Sequence, residues 1–99
     1  MGYKIMYSRQ AEKDVPLLAR SGLDKKAKEL LSIIKNNPFQ NPPPYKKLIG
    51  DMAGAYSRRI NIHNRLVYQV AENTEQLKDE NGEVYKGIVR VLRMWTHYE

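Results

Sequence analysis

The stretch "AYSRRINIHNRLVYQVA", residues 55–71, predicts a pair of antiparallel strands in which residues 61–64 form the turn. Successive side chains of a strand point to opposite faces, so Arg58 and Arg59 cannot both face the core. At least one of them is therefore available to a ligand. Arg65 opens the second strand, across the turn from them, so the stretch predicts a β-hairpin that gathers arginines at one end.

A third strand is predicted further along the chain, within "EVYKGIVRVLRMWTH", residues 83–97. The segment that joins it to the hairpin is "ENTEQLKDENGE", residues 72–83, with five acidic residues and one lysine. We call this segment the acidic insert. Its Asn81-Gly82 pair is typical of a hairpin turn, so we expect the insert to form a protruding hairpin end.

The N-terminal part of the chain predicts a short strand, "YKIMY" at residues 3–7, and then a helix. Ser8 is placed to cap that helix, and Ser21-Gly22 is expected to end it. Pro16 lacks an amide donor and should kink or shorten the helix.

A second helix is indicated by apolar residues at helical spacing, with Asp24 as the expected N-cap and Asn37-Pro38 as the stop. These apolar residues are Ala27, Leu30, Leu31 and Ile34. The predicted order βααβββ indicates an α+β fold in which two helices pack on one face of a small, largely antiparallel sheet. With 99 residues in all, we expect one domain spanning residues 1–99.

A proline-rich segment lies between the second helix and the hairpin. Pro42, Pro43 and Pro44 favour an extended backbone and argue against a central strand. We expect a semi-rigid loop that holds Lys46 and Lys47 out from the fold.

Composition excludes several classes of protein. The chain has no cysteine, which excludes a disulfide framework, a thiolate zinc site and a cysteine nucleophile. No apolar run approaches the length of a membrane span or a signal peptide, so we expect a soluble, cytoplasmic protein that neither crosses a membrane nor is exported.

The net charge of +6 hides an uneven distribution, because residues outside the acidic insert together carry +10. Such a polycation favours an acidic partner, either nucleic acid, a membrane surface or an acidic protein segment. A guanidinium cluster formed by Arg65 with Arg58 or Arg59 would suit a phosphate. Pairing of these arginines with Asp51, Glu99 or a partner's carboxylates is the alternative.

His97 and Tyr98 stand near the end of the sequence, before Glu99. A histidine exchanges protons near neutral pH, and a tyrosine ring can stack on an RNA base. Each residue can equally be a packed or solvated side chain.

Three runs together resemble the Txe/YoeB toxins, a branch of the RelE-like superfamily of bacterial toxins. They are "YSRRI" at residues 56–60, "RLVY" at 65–68 and the closing "HY" at 97–98. The resemblance covers nearly the whole chain and includes the order βααβββ. It implies a toxin that cleaves messenger RNA in the decoding site of the ribosome and so inhibits translation.

The reaction that the resemblance implies needs no metal ion or other cofactor: a ribose 2′-hydroxyl attacks the adjacent phosphorus. Arg65 would stabilise the transition state, His97 would protonate the leaving oxygen, and Tyr98 would orient the nucleotide. RNA phosphate would be bound by Arg58, Arg59 and Lys47.

Two positions depart from the family pattern. Lys46 stands where the family usually has a glutamate as general base. A lysine can replace that base only if desolvation or nearby positive charge favours its neutral form. Either Lys46 or Lys47 serves as base or as electrostatic support, or Lys46 is an inactivating change, natural or introduced. Asn64 stands where the family commonly has histidine.

The resemblance also implies a cognate antitoxin whose acidic, disordered C-terminal segment folds on binding. It leaves open a homodimer and the binding of operator DNA through the antitoxin. Two other functions remain: an inactive module of the same fold that binds ribosome, RNA or antitoxin without cleaving, and a generic basic RNA-binding protein.

Overall fold

The computed structural model describes residues 2–95. Its elements are, in chain order, β1 (Tyr3–Tyr7), α1 (Arg9–Arg20), α2 (Asp24–Asn36), β2 (Lys46–Lys47), a 3-10 turn (Gly50–Met52), β3 (Ala55–Arg59), β4 (Arg65–Ala71) and β5 (Gly87–Arg93). None of the helices in this part of the chain is long and apolar enough to cross a membrane.

The strands form one sheet in the order β1-β5-β4-β3-β2. β1 pairs with β5 in parallel, and the other neighbours are antiparallel. Both helices contribute to one core on a single face of the sheet. Its buried members from the helices and the central strands include Ala11, Leu18, Ala27, Leu30, Ile34, Leu66, Tyr68, Val89 and Val91. The predicted α+β fold, with two helices on a largely antiparallel sheet, is confirmed.

Two details of the sheet differ from the sequence prediction. Lys46 and Lys47 form the edge strand β2, which pairs with Tyr56 and Ser57 of β3, so the order is βααββββ. The prolines before Lys46 do not prevent this pairing because an edge strand needs hydrogen bonds on one side only. The strands are also shorter than the sequence predicts, since β3 ends at Arg59, before the predicted turn, and β5 spans only Gly87–Arg93 of the predicted region 83–97.

The helix boundaries agree with the prediction, except that Pro16 does not shorten α1 and that Asp24 is not the N-cap of α2. The Ser8 hydroxyl accepts a hydrogen bond from the Ala11 amide, as an N-cap does, and α1 continues through Pro16 to Arg20. The N-cap of α2 is Leu23 rather than Asp24, which lies in the first turn and forms no capping bond. There its carboxylate still lies at the positive end of the helix dipole.

The acidic insert forms a hydrogen-bonded hairpin. The buried Asn73 side chain donates to the carbonyls of Leu77 and Tyr85, both at 3.0 Å, and accepts from the Leu77 amide at 2.9 Å. Lys78 and Val84 face each other in an antiparallel bridge. The predicted hairpin is therefore present, and Asn73 closes its base.

Asp14 is a fully buried carboxylate on α1 that fixes the chain where it leaves β5. Its Oδ2 atom accepts from the Met94 amide at 2.9 Å, from the Trp95 amide at 3.2 Å and from Arg93 Nε at 3.0 Å. Asp14 therefore ties the first helix to the last described residues of the chain.

Replacing Asp14 with asparagine should lower the free energy of unfolding by about 1 to 3 kcal/mol, since an amide in its place loses the charge and at least one acceptor position. The measurement is urea unfolding followed by circular dichroism. Lys13→Ala, an exposed change on the same helix, is the control and should shift stability by about 0.5 kcal/mol or less. Equal midpoints for Asp14→Asn and the parent would contradict this account of Asp14.

Candidate functional site: a cationic groove on the sheet

A groove of about 390 Å³ opens on the sheet at the β2–β3–β4 end. It is lined by Pro44, Tyr45, Lys46, Ser57, Arg59 and Arg65. We call it the cationic groove, because three of these residues are basic and none of those described is acidic. It brings together three of the predicted site residues: Lys46, Arg59 and Arg65.

Strand register explains why these cations meet. Lys46 on β2 lies opposite Ser57 on β3, and Arg59 lies opposite Arg65 across the β3–β4 hairpin. Side chains directly opposite each other on antiparallel strands have Cβ atoms roughly 4.5 to 5.5 Å apart. Ser57 and Arg59 are two positions apart on β3 and therefore share a face.

The Asn61 side chain sets the turn that brings the two arginines together. Its Oδ1 atom accepts from the amides of His63 at 2.9 Å and Asn64 at 2.7 Å, while the Ile60 amide donates to the Asn64 carbonyl at 2.9 Å. Like charges placed opposite each other repel, and an anion between them relieves that repulsion. The hairpin end is therefore suited to a phosphate.

Arg58 does not lie in the cationic groove. It was a candidate for binding RNA phosphate, but it is 1% exposed and points into the opposite side of the sheet. Its guanidinium donates to the carbonyls of Pro38 at 3.0 Å, Gln40 at 2.9 Å and Pro43 at 2.6 Å. The structure thus assigns Arg58 to holding the proline-rich loop, and Arg59 is the arginine that faces outward.

Aromatic rings complete the environment of Arg58. The Tyr45 ring lies 5.0 Å from the guanidinium carbon, and Arg58 Nε donates to the Tyr68 hydroxyl at 3.1 Å. Burial raises the pKa of the Tyr68 phenol, although its hydrogen bond with Arg58 acts in the opposite direction. The phenol stays protonated and donates to the Pro38 carbonyl at 2.7 Å.

This contact network positions one wall of the groove. Tyr45 packs edge-on against Tyr56 at 5.7 Å between ring centroids and immediately precedes Lys46. Arg58, beneath Tyr45, therefore helps to fix the backbone from which Lys46 projects.

Replacing Arg58 with lysine should lower the free energy of unfolding by about 2 kcal/mol, because an ammonium group cannot reproduce the planar fork that contacts three carbonyls. Thermal and urea unfolding would measure the loss. Arg59→Lys is the matched control and should change stability by about 0.5 kcal/mol or less, since Arg59 is exposed. If both substitutions had the same small effect, Arg58 would not hold the loop.

Lys47 also lies outside the cationic groove. It faces Tyr56 in the β2–β3 pair and lines a separate depression with Leu48, Ile49 and Ala55. Successive residues of a strand alternate between faces, so Lys47 does not share the face of Lys46, and its binding to RNA phosphate stays a prediction.

The other two predicted site residues, His97 and Tyr98, lie outside the described residues. Within residues 2–95, no group of three or more histidine or acidic side chains is placed to hold a metal ion.

Sequence comparison adds to this geometry. A family model described as the YoeB-like toxin of bacterial type II toxin-antitoxin systems matches residues 7–98. The chain belongs to this family. A search of curated proteins gave no match.

Solved structures agree with the assignment to the YoeB-like toxins. The chain is similar to the YoeB/ParE toxin from Agrobacterium tumefaciens, with 26% identity, a TM-score of 0.76 and coverage of 96% of this chain and 99% of that one. It is also similar to the YoeB dimer from Staphylococcus aureus, at 28% identity and a TM-score of 0.70, with coverage of 97% and 98%. In the YoeB–YefM complex from the same organism, the matched chain has 29% identity, a TM-score of 0.67 and the same coverage.

Sequence reasoning missed two residues that matter here. Asp14 follows Ala11 by three positions and precedes Leu18 by four, on the buried face of α1. A carboxylate among core positions is a signal that could have identified it. Ser57, by contrast, has no such signal, because it lines the groove across from Lys46 on β2, an edge strand that the sequence did not predict.

Proposed function

We propose that this YoeB-like toxin is a ribosome-dependent endoribonuclease that cleaves messenger RNA in the decoding site and thereby inhibits translation. The observation that carries the proposal is the cationic groove, in which Lys46, Arg59 and Arg65 line a space that an RNA phosphate can enter. Family membership supports the assignment to the toxins, and the basic residues of the groove support the cleavage of RNA.

The proposed reaction is attack of a ribose 2′-hydroxyl on the adjacent phosphorus. The new P–O bond closes a 2′,3′-cyclic phosphate as the bond to the 5′-oxygen breaks, and the released oxygen takes up a proton to become a 5′-hydroxyl. Such a step needs an acceptor for the 2′-hydroxyl proton, donors for the phosphoryl oxygens and an acid at the leaving oxygen. Side chains can supply all three, so we propose no metal ion or other cofactor.

The described residues divide these tasks according to their positions. Arg65 and Arg59 lie on facing strands and would together bind the phosphoryl oxygens, on which charge accumulates in the transition state. Lys46 lies across from Ser57 in the groove, and the family resemblance implies that its position is that of the general base.

The remaining roles rest on the family resemblance alone. His97 would protonate the leaving oxygen, and Tyr98 would orient the nucleotide by stacking.

A second candidate function is favoured by Lys46. An ammonium group has no lone pair with which to accept a proton, whereas the glutamate usual in the family does. The chain would then be a module that binds the ribosome, RNA and an antitoxin without cleaving the RNA. Both candidates share the groove and differ only in the chemistry at one position.

We also propose a cognate antitoxin. Solved relatives include a YoeB–YefM complex. An acidic disordered segment that folds on binding would compete with RNA for the cations of the groove. A homodimer and indirect binding of operator DNA through the antitoxin remain part of this proposal, as does a cytoplasmic location beside the ribosome.

Protein synthesis in bacteria after induction of the chain tests the proposal, measured as incorporation of labelled methionine. We expect the parent or its Lys46→Glu variant to arrest protein synthesis. Adding Arg65→Ala to whichever of the two is active should relieve the arrest. Lys25→Ala, an exposed change on α2, is the control and should leave the arrest intact. Arrest by Lys46→Glu alone identifies the parent as a disarmed toxin. If both proteins accumulate in folded form and neither slows synthesis, the nuclease proposal is wrong.

A further inference from the structure

Ser57 carries a buried hydroxyl that forms no hydrogen bond with any residue from 2 to 95. The residue is 2% exposed, and its Oγ atom has no hydrogen-bond partner in this part of the chain. The other buried polar side chains in the described part of the chain, those of Asp14, Arg58 and Asn73, all form hydrogen bonds. Because proteins rarely leave a buried polar group unpaired, this exception calls for a physical explanation.

The position of Ser57 suggests what its hydroxyl is for. Ser57 lies on the floor of the cationic groove, directly across from Lys46 on β2. Arg59 follows on the same face of β3, and Arg65 lies opposite Arg59. The three surrounding cations would attract an anionic oxygen toward this floor, where a hydroxyl is the neutral donor.

We propose that Ser57 is a further RNA-contacting residue, whose hydroxyl donates a hydrogen bond to a phosphoryl oxygen of the message bound in the groove. This inference rests on the proposed function and adds a residue to it. The hydroxyl would be unpaired in the free protein and paired only when RNA is bound. A hydrogen bond to a charged phosphoryl oxygen is also stronger than one between neutral groups.

The proposal has a signature that a structural role does not produce. Removing an unsatisfied buried hydroxyl relieves the free protein of an unpaired polar group, so Ser57→Ala should keep or raise the midpoint of thermal unfolding. The same change removes a donor from the substrate complex, so cleavage should slow. A structural role for Ser57 predicts instead that stability and activity fall together.

The experiment measures single-turnover cleavage on programmed ribosomes and thermal unfolding of the free protein. The background is the parent or Lys46→Glu, whichever cuts. We expect Ser57→Ala to slow cleavage by about 10- to 100-fold, the effect of losing one hydrogen bond to a charged group. Ser57→Thr retains the hydroxyl and should lose less activity than Ser57→Ala.

Ser8→Ala is the matched control for stability. The Ser8 hydroxyl accepts from the Ala11 amide at 3.0 Å and donates to the Leu92 carbonyl at 2.8 Å. The same deletion of one oxygen should therefore lower the unfolding midpoint at Ser8 and not at Ser57.

The outcomes separate this inference from the proposed nuclease. If the background cuts and Ser57→Ala cuts equally fast, or loses stability together with activity, the Ser57 inference is overturned while the nuclease proposal stands. If no background cuts, the nuclease proposal fails. The RNA contact of Ser57 is then tested by binding to ribosomes that carry a message with one 2′-deoxynucleotide. Weaker binding by Ser57→Ala then supports the contact, and unchanged binding overturns it.

Discussion

Lys46→Glu is expected to raise the rate of message cleavage by about 100-fold or more, the range that a positioned general base contributes. Position 46 lies across from Ser57 at the edge of the cationic groove, within the same cavity as Arg59 and Arg65. A carboxylate there can accept the proton of the 2′-hydroxyl, while the arginines still bind the phosphate. The measurement is the single-turnover rate on ribosomes stalled at a defined codon.

Lys47→Glu provides the matched control for that prediction. It makes the same change of charge one residue further along β2, on the opposite face of the strand and outside the groove. We expect it to give none of the gain. A similar rate increase from both substitutions would indicate a general effect of charge, and a rate that falls with Lys46→Glu would show that the lysine itself serves as the base.

Arg65→Ala is expected to lower the cleavage rate by about 100- to 1000-fold, the effect of removing one donor that stabilises transition-state charge. The reason is geometric, since Arg65 lies opposite Arg59 and the two can hold one phosphate from both sides. The substitution should act mainly on the rate at saturation, because the charge it stabilises develops during the reaction. The assay uses the background that cuts, the parent or Lys46→Glu.

Arg20→Ala, in the last turn of α1, controls for the loss of one positive charge from the protein. It should leave the rate within about a factor of two, since screening at physiological salt weakens distant surface charges. Losses of similar size from Arg20→Ala and Arg65→Ala would mean that total charge, and not the pair of arginines, governs the reaction.

Much of the fold could be predicted because its signals are local. Ser8 predicts the start of α1, and Asn37-Pro38 predicts the end of α2. Both signals depend on capping and backbone geometry, which involve neighbouring residues only. The hairpin of β3 and β4 has similar local signals. By contrast, β2 has two residues, too few to show any periodicity, and exists because β3 offers a free edge.

The candidate site was predicted less completely, because alternation shows that Arg58 and Arg59 face opposite ways without showing which one points into the protein interior. Arginine is rarely buried, so the residue type gives no reason to place either Arg58 or Arg59 in the interior. The decision comes from the loop, whose carbonyls of Pro38, Gln40 and Pro43 need donors and find them in Arg58. Such long-range hydrogen bonding has no pattern in the sequence.

One measurement tests the central claim most directly. A message is incubated with the chain or its Lys46→Glu variant, with and without translating ribosomes, and the cut sites and end groups are mapped. The account predicts cuts at the codon in the decoding site, only when ribosomes are present, with a cyclic phosphate on one side and a 5′-hydroxyl on the other. A 2′-deoxynucleotide at that site should abolish the cut. Cuts in free RNA, cuts that survive the 2′-deoxy substitution, or no cuts by either protein would contradict it.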